Sequence, residues 1–66
     1  MDKLLLTNEV AELLRVSEEH VRELLRQRKL NGFKEGRRSG YRIPTSELEK
    51  YVQFKMEETK KERALK

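Results

Sequence analysis

Between Thr7 and Leu30 the chain carries two short runs of helical apolar spacing separated by only three residues, and this limits what it can fold into. Thr7 is placed to cap a first helix, in which Val10, Ala11, Leu13 and Leu14 fall at the i, i+3, i+4 spacing of one apolar face. Arg15-Val16-Ser17 interrupts the pattern, and Arg15 stands where a glycine would relieve strain after a helix. Ser17 caps a second helix, with Glu18 and Glu19 at its positive end. Val21, Leu24 and Leu25 repeat the spacing there, while Glu19, Glu23 and Arg26, flanked by His20 and Arg22, point the other way. One face of the pair packs; the other is free to contact a partner.

The partner class is set by where the charge sits. The net charge is +4 over 66 residues. Residues 1–21 carry two basic and five acidic groups, whereas 22–42 carry eight basic side chains (Arg22, Arg26, Arg28, Lys29, Lys34, Arg37, Arg38, Arg42) against Glu23 and Glu35. A cationic block on the second helix and the segment after it is the footprint of a polyanion binder, because neutralised phosphates release condensed counterions. On the second helix, Arg22 and Arg26 lie one turn apart and can reach one groove together. Glu19-Arg22 and Glu23-Arg26 can equally pair with each other at i, i+3. Glu18 and Glu19 would repel a DNA backbone unless one of them accepts from a cytosine amino group. His20 is either a donor to a phosphate or base edge, or a plain surface residue.

The rest of the chain supports this pair. Leu4-Leu5-Leu6 is expected in the core, as an extended segment or as a hydrophobic staple onto Val10. Gln27, Arg28 and Lys29 close the second helix, and Leu30-Asn31-Gly32 offers residues that tolerate a left-handed backbone. Phe33-Lys34-Glu35 and Tyr41-Arg42-Ile43 alternate apolar and charged residues around Gly36-Arg37-Arg38-Ser39-Gly40, which predicts a hairpin with two arginines at a sharply bent tip, suited to a narrow minor groove. Pro44 stops the strand, and Ser46-Glu47-Leu48-Glu49 reads as a capping box opening a third helix. Leu48, Tyr51 and Val52, with Lys55 or Met56, would cover the open side of the helix pair, leaving Phe54 outside. From Glu57 to Lys66 only Ala64 and Leu65 are apolar, so this tail is either a helical extension or disordered. The expected division is a domain over 1–55 and a charged tail or helical extension over 56–66.

Several functions are disfavoured. The chain has no cysteine and one histidine, so disulfides and zinc are not expected, nor is any other cofactor. No apolar run approaches the roughly 20 residues that span a bilayer, and Met1 to Leu6 is too short and lightly charged for a signal peptide, so a cytoplasmic location is expected. Charged residues make up 42% of the chain, but its apolar residues are periodic, which favours a packed core over disorder. Nucleophile, base and oxyanion donors are not gathered at any recognisable spacing, so neither an enzyme nor a small-molecule substrate is expected.

Three segments, L-L-T-N-E-V-A-E-L-L-R-V-S, H-V-R-E-L-L-R-Q-R-K-L and G-R-R-S-G-Y-R-I-P-T-S-E-L-E, taken in order over roughly Leu5 to Val52, resemble the excisionase-type, MerR-like winged-helix DNA-binding domain. The resemblance implies a mainly α fold with a small β-hairpin, a winged helix-turn-helix. Its second helix would enter the major groove and its wing the adjacent minor groove or backbone. It places Glu19, His20, Arg22 and Arg26 on the recognition helix and Arg37, Arg38 and Ser39 on the wing, with Thr7 and Tyr41 as backbone contacts at best. The family tends to have small polar or basic residues where this chain has Glu18-Glu19-His20, and commonly a glycine at Arg15. MerR-type regulators add a dimerising coiled coil and an effector domain. A stand-alone domain is instead similar to an excisionase, or recombination directionality factor, which binds and bends attachment-site DNA so that a tyrosine recombinase (integrase) excises the element. Such proteins commonly bind as neighbouring copies, and the tail from Met56 is the surface expected to meet the recombinase or the next copy. A small transcriptional regulator of the same fold is the alternative, and a protein-interaction module with a basic face is a further one.

Overall fold

The computed structural model describes residues 2–64; the expectations that touch Met1, Leu65 and Lys66 lie outside the described residues. The elements in chain order are strand β1 (Leu4–Leu6), helix α1 (Thr7–Leu14), helix α2 (Glu18–Arg26), strands β2 (Phe33–Lys34) and β3 (Tyr41–Pro44), and helix α3 (Thr45–Ala64). Among the described residues, no helix is long and apolar enough to cross a membrane.

Alternation in residues 33–43 produces the expected antiparallel hairpin, with Phe33 opposite Arg42 and Lys34 opposite Tyr41. The sheet is larger than a hairpin, because β1 pairs with the other edge of β3 and gives the order β1-β3-β2. Leu5 faces Ile43 in that register and both are buried. Since side chains alternate along a strand, Leu4 and Leu6 project from the opposite face and remain exposed, so one leucine of the three enters the core.

The core comprises Leu5, Val10, Ala11, Val21, Leu24, Leu25, Leu30, Ile43 and Leu48, with Leu14, Tyr41 and Tyr51 packed at its edge and no buried charge among the described residues. The α2 stripe is as expected. On α1 the stripe is narrower: Leu13 is 63% exposed, because Val10, Ala11 and Leu14 already fill the contact with α2 and the sheet. On α3 only Leu48 and Tyr51 pack inward. Val52, Lys55 and Met56, like Phe54, lie exposed, since the helix runs past the end of the body it covers. Its helical span crosses residue 56 without a break.

Two expected caps move. Thr7 is already helical; Leu6 is the capping position, and its N–H is satisfied by the Glu9 carboxylate at 2.9 Å. Helix α3 begins at Thr45, whose N–H donates to the Lys3 carbonyl at 2.9 Å. Ser46 donates to Asp2 at 2.6 Å instead of capping. Ser17 does cap α2, accepting from the His20 N–H at 3.1 Å.

Both short helices close in the same way. After α1, Arg15 N–H donates to Glu12 and Val16 N–H to Ala11; after α2, Arg28 N–H donates to Leu25 and Lys29 N–H to Leu24. This paired closure needs a left-handed residue at its pivot. Arg15 and Arg28 take that role, each at φ 59°. Arg15 was legible as such a position, whereas the second turn comes earlier than Leu30-Asn31-Gly32. Leu30 is buried, and Gly32 does not have positive φ. Gly32 serves close approach: a Cβ there would lie 2.9 Å from Leu25 Cδ2, 3.0 Å from the Arg42 carbonyl oxygen and 3.1 Å from Ile43 Cγ1. The chain can pass this close to β3 only without a side chain.

Candidate nucleic-acid interface

Burial of Val21, Leu24 and Leu25 turns the opposite face of α2 to solvent, and that face is a continuous set of ion pairs. Arg26 donates through Nη2 to Glu19 Oε1 at 2.9 Å and through Nε to Glu23 Oε2 at 3.1 Å, with a second contact from Nη2 to Glu23. Arg22 Nε reaches Glu19 Oε2 at 3.4 Å, and Gln27 donates to Glu23 Oε1 at 2.9 Å. The pairing anticipated at i, i+3 is therefore present and extends to i+7 through Glu19. Exposed pairs of this kind add little to stability, about 0–1 kcal/mol each. Their effect is on availability: both arginines of the outer face are engaged by carboxylates that a ligand would have to replace.

Titration reflects the same geometry. Glu19 is held below its ordinary value, first by the hydrogen bond from Arg26 and also by the nearby charges of Arg26 and Arg22. Glu23 is lowered by hydrogen bonds from Arg26 and then Gln27. Arg26 is raised, chiefly by Glu23 and then Glu19. Because both carboxylates are depressed, the network is complete above the ordinary carboxylate range and is lost as pH falls through their lowered values.

Not all the expected contact residues meet on that face. Glu19, Arg22 and Arg26 do. His20 lies on the flank turned toward α3, lining a shallow groove with Leu24, Lys29, Tyr51, Phe54, Lys55 and Glu58. Arg37, Arg38 and Ser39 sit together at the hairpin tip, where Ser39 N–H closes a turn onto the Gly36 carbonyl at 3.3 Å. Both arginines there are exposed. Neither bracketing glycine adopts positive φ, so the tip bends without a left-handed residue. Thr7 and Tyr41 are half-buried, Thr7 in the first turn of α1 and Tyr41 against the core beneath the Lys34 ammonium, which lies 5.0 Å from its ring centroid.

The eight cations of residues 22–42 thus divide in two. Arg22 and Arg26 are held by carboxylates, Lys34 lies over Tyr41, and Arg42 Nη1 braces the wing by donating to the Gly40 carbonyl at 3.1 Å and, more weakly, to Tyr41 at 3.4 Å. Arg28, Lys29, Arg37 and Arg38 have no side-chain hydrogen bond or ion pair among the described residues. Residue spacing did not single out Arg28 and Lys29, whose position reads only as a helix end. It also left Glu23 and Gln27 out of the contact set, although they hold Arg26 in place.

This arrangement is an exposed second helix of a helix-turn-helix together with a hairpin that carries two exposed arginines at its tip. It offers paired donors and acceptors that can exchange partners, and free cations that need no exchange. A family model described as a helix-turn-helix domain matches residues 4–56. No curated protein and no solved structure matches the chain.

Proposed function

The chain belongs to the helix-turn-helix domain family, whose members bind double-stranded DNA through the second helix of the motif, and we propose that it is a sequence-specific architectural protein of the excisionase type. It binds and bends attachment-site DNA, in neighbouring cooperative copies, beside a tyrosine recombinase that performs the strand chemistry. The protein itself catalyses nothing and takes no cofactor or small-molecule substrate. Its carrying observation is a helix face that presents arginines and glutamates together, in a fold whose hairpin tip carries two arginines without a side-chain partner among the described residues. Glu19, Arg22 and Arg26 read base edges in the major groove, Arg37, Arg38 and Ser39 track the adjacent backbone or minor groove, and His20 touches the flank.

Glu19 bridges both arginines of the reading face, so its removal tests how that face works. Glu19→Ala is expected to change the preferred sequence at one position, while general affinity rises by no more than several-fold as Arg22 and Arg26 are released. A uniform change across all sites would show that Glu19 reads no base.

Selection from random duplexes at two salt concentrations tests the proposal as a whole. A short motif in direct array, bound cooperatively, is the expected result and carries the excisionase reading. An isolated or palindromic site would make the protein a transcriptional regulator of the same fold, and absence of duplex binding would assign the basic face to an acidic protein partner.

A further inference from the structure

Arginine is an unfavourable residue at φ 59°, where its Cβ crowds the following carbonyl, and the chain places one there twice. Glycine would satisfy the same hydrogen-bonded closure without that strain. The two sites differ in surroundings. Arg15 lines a groove with Asn8, Glu12, Leu13, Val16 and Glu18, so two carboxylates share its space. Arg28 stands just after the end of α2 and lines a groove with Leu25, Leu30, Asn31 and Gly32, none of them a carboxylate. It is exposed, and it is one of the four cations of residues 22–42 without a side-chain partner among the described residues.

From this contrast we infer that Arg28 is a DNA-backbone contact, a cation kept at a strained pivot because its charge is used against a phosphate beyond the end of α2. The assignment rests on the DNA-binding reading and extends it to a residue outside the recognition face and the wing. With Lys29, its exposed neighbour after the end of α2, Arg28 adds backbone contacts to those of Arg37 and Arg38 at the hairpin tip and helps to fix the register of the helix on the duplex. A helix-closing role alone predicts something different: a cation favoured by the carbonyl end of α2 stabilises the fold and leaves DNA binding unaffected.

Arg28→Gly and Arg15→Gly form a matched pair, each removing one positive charge and one strained residue. Thermal midpoints and duplex titrations from about 50 to about 200 mM salt are measured for both and for the wild type, on one labelled duplex of arbitrary sequence. Both variants are expected to melt a few degrees higher than the wild type. For Arg28→Gly alone, the salt dependence of log K becomes shallower by about 0.9, so its affinity deficit shrinks roughly three- to fourfold across that range. An unchanged slope in Arg28→Gly, while the wild type binds with normal salt sensitivity, would overturn the assignment alone. An equal loss in Arg15→Gly would overturn it too, because net charge and not position would then be responsible. A wild type that binds no duplex would overturn the DNA-binding reading and this assignment with it.

Discussion

Replacing Arg37 and Arg38 together with alanine is expected to weaken binding to every duplex by about 2 kcal/mol, roughly thirtyfold, and to make the salt dependence of log K shallower by about 1.8. Availability is the reason. These two arginines are exposed at the hairpin tip, and neither a carboxylate nor a carbonyl of the described residues occupies them, so their charge meets DNA without first breaking an internal pair. The arginines of α2 are engaged by Glu19 and Glu23, so on the proposed reading they exchange those partners for a base edge, and a smaller net contribution to general affinity is expected of them. The tip turn is closed by backbone atoms, Ser39 N–H to the Gly36 carbonyl, so the substitution should leave the circular dichroism spectrum and melting midpoint unchanged. Full-strength binding by the double variant would remove the wing from the interface.

Ile43→Ala is expected to leave the domain largely unfolded at room temperature. Ile43 is completely buried in the central strand, opposite Leu5 across the ladder and against the passing chain at Gly32. Truncating such a residue costs about 2–5 kcal/mol, while a chain of this length holds only about 3–10 kcal/mol in all. The small core has no reserve: nine buried side chains among the described residues, no metal ligands expected and no disulfide. Ile43→Val removes one methylene and should cost only about 1 kcal/mol, lowering the urea midpoint without loss of cooperativity. If Ile43→Ala melted like the wild type, the sheet would not be the element that joins the helix pair to α3.

What could be read in the sequence and what could not divide along physical lines. The helix pair, the Ser17 cap, the left-handed Arg15 and the hairpin depend on local chemistry: periodicity, a hydroxyl before a helix, a residue that must close it, alternation around a polar loop. The pairing of β1 with β3 joins segments far apart in the chain, Leu4 with Pro44, and three consecutive leucines carry no alternation to announce it. Leu13 shows the same limit in reverse, since helical spacing admits it to the apolar face and only the width of the neighbouring surface excludes it. Gly32 was visible as a glycine, but its reason, the approach of Leu25 and Ile43, exists only in the folded chain. On the candidate interface, the pairs Glu19-Arg22 and Glu23-Arg26 were legible as i, i+3 neighbours. The bond from Glu19 to Arg26 two turns away was not, and it links the two pairs into one network. His20 falls beside the outer face of α2 by spacing, yet in the folded chain it stays exposed and lines a groove with Tyr51, Phe54, Lys55 and Glu58 of α3.

Duplex binding by this chain is expected to run chiefly through the cations its fold leaves unpaired. Titration of a labelled duplex with the wild-type protein at about 50 and about 200 mM salt tests this most directly. Four phosphate contacts, from Arg28, Lys29, Arg37 and Arg38, give a slope of about −3.6 in log K against log salt, and hence an affinity roughly a hundredfold lower at the higher concentration. A duplex affinity that does not change with salt, or no binding at the lower concentration, would contradict it.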